Sequence, residues 1–179
     1  MTEFLDVDGG RIAYEVTGEG PLVVLAHGMG DNRTTFRFLA PVLAEAGYRV
    51  ASTDLRGHGE SSTGWPSYTR TDTAGDLLAL IRHLGGPGRM AAARAMGRSQ
   101  PSDAGAALAR IQCPALVFEG SLDSDWPDTK AEGDAIIAAL PAGLGQLVMV
   151  SGAGHYAHAQ FPDQVAAALL PFLKEHAGA

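Results

Sequence analysis

"PLVVLAHGMGDN", Pro21 to Asn32, decides the fold class. Its first half is a continuous apolar run of strand length, as expected for a strand buried on both faces. It leads into "NRTTFRFLAPVLAEAG" (32–47), where Phe36, Leu39, Ala40 and Leu43 recur at i, i+3, i+4 and i+7. That spacing predicts a helix, bent at Pro41 and stopped at Gly47. Upstream, "FLDV" and "RIAYEVTG" enclose Gly9-Gly10 and read as a hairpin. Downstream, "YRVASTDL" (48–55) is a further strand. "DTAGDLLALIRHLGG" (72–86) is a helix with Leu77, Leu80, Ile81 and Leu84 on one face, Asp72 as its N-cap and Gly85-Gly86 as its stop.

The second half resumes the same rhythm. "CPALVFEG" (113–120) is a strand, with Cys113 as a small core residue at its start. A helix starts near Asp128 and turns Ile136, Ile137 and Leu140 inward. The strand "GQLVMVSG" (145–152) follows. The last helix has Pro162 in its first turn and Val165, Leu169, Phe172 and Leu173 inward. Strands alternating with helices predict an α/β fold, a three-layer sandwich around a mostly parallel sheet.

The chain has 179 residues, enough for one domain with a real core, and the whole of 1–179 is read as one domain. It is 46% hydrophobic and 18% charged, so neither disordered nor fibrous. A net charge of −7 without a basic stripe argues against nucleic acid and anionic membrane surfaces as partners. One cysteine excludes an internal disulfide framework and any multi-cysteine metal site. The first residues lack a basic and apolar leader pattern, and no apolar run reaches spanning length, so a cytoplasmic location is expected.

Three segments together resemble the α/β-hydrolase superfamily, in its esterase- or lipase-like, lid-bearing form. They are "LAHGMGDN" (25–32), "DLRGHGESS" (54–62), and the pair "EGSLDSDWP" (119–127) and "SGAGHYAHAQFP" (151–162). The resemblance implies that His27, Gly28 and Met29 form the oxyanion loop, with the Met29 N–H facing developing negative charge. It implies that Asp123 and His155 hold the acid and base positions of a triad, in the family's chain order. The histidine would take a proton and return it; the aspartate would orient the imidazole and stabilise its cation. His58 reads as structural and His158 as a surface residue. No spacing among His27, His58, His155 and His158 matches a ligand motif, so no metal and no cofactor are expected.

The family's nucleophile is the difficulty. No serine stands in a Gly-x-Ser-x-Gly pattern: Ser61 is followed by Thr63 two residues on, and Ser99 by Pro101. The segment between Ile81 and Ile111 has no Val, Ile or Thr, so it is a poor central strand. "RMAAARAM" (89–96) reads as a short helix and "AGAALAR" (104–110) as another helical turn, with 87–110 a residual lid or connector. The resemblance then implies a truncated α/β-hydrolase fold without the elbow and most of the lid. Its expected strand order is 1-2-4-3-7-8, counting strands as full-length members do. This order would place "ALVFE" beside "PLVVLA".

The functional expectation is a carboxylic-ester-type hydrolase whose own turnover is weak or lost, acting on a small ester-like molecule. Ser121 and Ser124, beside Asp123, are the candidate substitute nucleophiles. Phe36, Trp65, Trp126 and Tyr156 are available to line a pocket mouth. The alternatives are a non-catalytic ligand-binding or interaction module, or a minimised scaffold. An open parallel sheet edge would also invite pairing with a second copy.

Overall fold

In the computed structural model, which describes residues 1–86, 92–94 and 108–176, two compact units are resolved: Met1–Arg98 and Ser99–Ala177. The first begins with a hairpin of β1 (Glu3–Val7) and β2 (Gly10–Thr17), paired antiparallel with Val7 opposite Gly10. Gly9, with φ +86°, supplies the left-handed corner of the two-residue turn. The run at 21–28 forms β3 (Leu22–Ala26), whose three central residues are buried. It lies parallel to β4 (Arg49–Thr53), which pairs antiparallel with β2 on its other side.

The expected helix over 32–47 divides in two. A 3₁₀ turn, Arg33–Phe36, is capped by Asn32, whose side chain accepts the Thr34 N–H. α1 (Leu39–Glu45) then starts afresh, and Pro41 falls in its first turn rather than bending an interior. There its missing N–H has no intrahelical acceptor to lose. Gly47 ends α1 as expected: the Gly47 N–H donates to Ala44 O and the Tyr48 N–H to Leu43 O, the Schellman pattern. α2 (Arg70–His83) begins before Asp72. Its N-cap is Thr69, and Asp72 is the third residue of a reciprocal capping box. Leu80 and Ile81 of α2 join Ile12, Tyr14, Val24, Ala51 and Trp65 in the core of this unit.

The sheet order is β1-β2-β4-β3-β5, where β5 is Ala92–Arg94. This corrects two expectations. Residues 92–94 are strand rather than helix, paired parallel to β3 from Val24 opposite Ala92 to Ala26 opposite Arg94. The place beside β3 foreseen for "ALVFE" is therefore taken by another strand. Alanine's helix preference is a weak prior, and unpaired groups on a β3 edge outweigh it. The remainder of the foreseen connector, 87–91 and 95–107 with Ser99, lies outside the described residues.

In the second unit, β6 (Ala115–Gly120) pairs in parallel with β7 (Gly145–Val150) as a separate two-stranded sheet. Cys113 lies before β6 and is exposed, not in the core as expected. α3 (Thr129–Ala139) connects the two strands, capped by Asp128 accepting the Ala131 N–H at 2.9 Å. A short α4 (Ala157–Gln160) precedes α5 (Pro162–His176), which buries Val165, Ala166, Leu169 and Leu173. Among the described residues, no helix is long and apolar enough to cross a membrane.

Candidate functional site

The loops after β6 and β7 are stitched together in the second unit. The Ser121 N–H donates to Val150 O at 3.0 Å and the Leu122 N–H to Ala153 O at 2.8 Å. Gly120 makes this approach possible, since a Cβ there would collide with the Ala153 and Gly154 carbonyls. Asp123 is thereby held at the top of the turn, 6% exposed. One of its oxygens, Oδ1, accepts the Asp125 N–H at 2.9 Å. The other, Oδ2, lies 2.9 Å from His155 Nδ1.

A carboxylate can only accept, so His155 carries a proton on Nδ1, which in the neutral ring places the lone pair on Nε2. The orientation of the base by a buried acid is the arrangement a general base requires. His155 Nδ1 is also 3.6 Å from Asp125 Oδ2. Asp123, Asp125 and His155 each offer one donor atom, all within 4.8 Å of one another, a set able to hold a metal ion. Sequence spacing among the histidines does not reveal it, because two donors come from one loop and the third from another. A metal held through Nδ1 would have to displace the proton that now binds Asp123.

Ser121 Oγ accepts the Gly152 N–H at 2.9 Å, and Ser124 is exposed. Neither hydroxyl is hydrogen-bonded to His155 among the described residues. Tyr156 packs edge-on to His155, with ring centroids 5.2 Å apart, and is itself exposed. His158 sits in α4, half-buried rather than on the open surface. Glu119, near the end of β6, is a functional candidate that sequence reasoning missed. Burial first, then the Asp123 and Glu132 carboxylates, push it up to about 7, against a smaller pull from His155. A lone glutamate near the end of a strand carries no sequence signal for this.

The first unit holds the expected oxyanion loop. His27 is almost completely buried. Its Nδ1 lies 2.7 Å from Gly28 O, and its Nε2 accepts the Leu55 N–H at 3.0 Å. Both ring nitrogens thus serve the backbone. Met29 is exposed, and among the described residues no hydrogen bond engages its N–H. Beneath the loop, the fully buried Asp54 accepts the Arg33 N–H at 2.7 Å, the Glu60 N–H at 2.9 Å and the Arg33 guanidinium. Phe36 and Trp65, foreseen at a pocket mouth, are buried; Trp65 is part of the core and lies under the Arg56 guanidinium.

Comparison with known proteins agrees with this architecture. Residues 21–90 match the family described as the alpha/beta hydrolase fold. A proline iminopeptidase, PfmaB, from Pestalotiopsis fici is 36% identical over 92 residues, covering 49% of this chain and 32% of that protein. An epoxide hydrolase from Caballeronia sordidicola is 39% identical over 83 residues, covering 44% of this chain and 25% of the relative. These matches span about a third or less of the relatives' own length. Among solved structures, an esterase from Exiguobacterium antarcticum superposes with a TM-score of 0.79 at 17% identity, covering 97% of this chain and 100% of the other. The chain has the α/β hydrolase fold.

Proposed function

We propose that this α/β-hydrolase-fold chain is, by lineage, a hydrolase of carboxylic-ester type whose surviving chemistry is the Asp123–His155 pair. The 2.9 Å bond between Asp123 Oδ2 and His155 Nδ1 carries the reading. The family match, and relatives named for epoxide, peptide and ester hydrolysis, support the reaction class. Without a Gly-x-Ser-x-Gly serine, the reaction left to the pair is base-catalysed attack by water. His155 Nε2 takes a proton from water as its oxygen bonds to the ester carbonyl carbon. The same proton passes to the alkoxide when the C–O bond breaks. A general base alone contributes about 10²–10⁴-fold, so turnover by this chain is weak.

The test combines labelling with slow kinetics. A serine-directed fluorophosphonate should not label the chain, and hydrolysis of p-nitrophenyl acetate should be slow. His155→Gln should abolish it, Asp123→Asn should reduce it at least tenfold, and Ser121→Ala and Ser124→Ala should leave it unchanged. Stoichiometric labelling would mean that a serine nucleophile operates. Hydrolysis indifferent to His155→Gln would favour the second reading, a non-catalytic ligand-binding or interaction module. That reading is supported by the same missing pattern in the sequence.

A further inference from the structure

His27 and His58 brace two loops of the first unit in a reciprocal way. His27 stands on the loop after β3 and accepts the Leu55 N–H from the loop after β4. His58 stands on the loop after β4 and its Nε2 accepts the Gly30 N–H from the loop after β3, at 3.4 Å. A backbone N–H can only donate, so both Nε2 atoms must be lone pairs. The protons therefore reside on the Nδ1 atoms, which face Gly28 O at 2.7 Å and Arg56 O at 3.0 Å. The two rings meet edge-on with centroids 5.0 Å apart. Each ring clasps its own loop through Nδ1 and the opposite loop through Nε2. Between these bonds lies the turn that carries the Met29 N–H.

We propose that His27 and His58 are a pair of positioning residues that hold the Gly28–Gly30 turn only while both imidazoles are neutral. Protonation converts Nε2 from acceptor to donor, so it faces another N–H and the cross-loop bond is lost. A second proton would put two cations on adjoining rings. The charged groups acting on His27 are His58 and Asp54 from the loop after β4 and Asp31 from its own loop. Asp54 and Asp31 favour the cation, but Asp54 is already paired with the buried Arg33 guanidinium. Burial is the largest influence and His58 adds to it, so His27 titrates below its usual range. The fold thus disfavours the charged form that would open the brace, and acid below that range releases it. The proposal stands on the first unit alone and is independent of the Asp123–His155 reading.

The experiment is nitrogen-15 NMR of the full chain labelled at histidine and at backbone amides, titrated from pH 8 to pH 5. At pH 8 both rings should show the Nδ1–H neutral pattern. His27 should hold it to lower pH than free histidine does. The Leu55 amide signal should shift as His27 is protonated, and the Gly30 amide signal as His58 is. His58→Gln offers an acceptor that cannot be protonated, so in this variant the Gly30 amide should lose its pH dependence while Leu55 keeps its own. An Nε2–H tautomer at pH 8 on either ring would overturn the proposal. So would Gly30 and Leu55 amides that stay still while the rings titrate, since a merely structural histidine would produce that result. Ester hydrolysis does not enter the readout, so loss of the hydrolase reading leaves this test intact.

Discussion

Asp54 shows how one buried carboxylate organises the loops of the first unit. It is fully buried and accepts two backbone N–H groups and the Arg33 guanidinium, so its charge is answered on several sides. Arg33 also reaches Glu15, Glu60 and Thr2. Gly59, at φ +51°, lies so close that an added Cβ would collide with the Asp54 carboxylate. Gly59→Ala should therefore lower stability by about 2 kcal/mol or more in urea unfolding, through backbone strain and displacement of the carboxylate. Asp54→Asn should cost about 2 kcal/mol, because an amide NH2 replaces one acceptor oxygen and weakens the charge-assisted bonds to Arg33, whose cation still meets Glu15 and Glu60. Equal midpoints for wild type and Gly59→Ala would contradict the packing described.

Glu119 gives a pH dependence at the same scale. Its folded pKa is raised from 4.5 to about 7, so the fold favours the protonated acid. That contribution is present in full below the unfolded value and is lost as pH rises through about 7. A shift of this size corresponds to about 3 kcal/mol at full burial; for this half-buried side chain, solvent screening reduces it to about 1 kcal/mol. Glu119→Gln cannot ionise, and should be more stable than wild type at pH 8 by about that amount and equal to it at pH 5. Thermal melts at the two pH values decide it. Asp123 and His155 were legible in the sequence because each follows a strand within a recognisable segment. Glu119 and Asp125 were not, because their significance is proximity across loops.

At the scale of elements, the helix stops at Gly47 and Gly85 and the starts at Asp128 and Pro162 were legible, and the start of α2 was not. Gly47 and Gly85 mark stops because only glycine takes the left-handed cap conformation without penalty, and both do so here. The start of α2 was misplaced because Asp72 has the right chemistry for a cap but serves as the third residue of a box built on Thr69. Asp72 also accepts from Ser67 and Thr69, which hold it down at about 2, so the box persists until pH falls toward that value. Thr69→Ala should cost about 1 kcal/mol of stability, read as a lower urea midpoint. An unchanged midpoint would mean that the cap contributes nothing. Residues 92–94 are the opposite case: local preference favoured helix, and strand pairing beside β3 prevailed.

At the scale of the whole molecule, charge makes a simple prediction. With 20 acidic and 13 basic residues the chain should pass through heparin and DNA columns at low salt without retention. Retention released by salt would reveal a basic surface that composition conceals.

By itself, the sequence determined the α/β class, β1 to β4 and β6 to β7, the helix stops, the absence of a Gly-x-Ser-x-Gly serine, and the candidate pair Asp123 and His155. The class, strands and stops follow from periodicity and glycine punctuation, which act over a few residues, and the Asp123 and His155 candidates from the resemblance of their segments to the α/β-hydrolase superfamily. Only the tertiary structure decided which strand pairs with β3, that His155 meets a second carboxylate, that Glu119 is held near neutrality, and that His27 and His58 clasp each other's loops. Each depends on groups far apart in the chain, and burial gives those contacts their strength by removing the water that would otherwise compete.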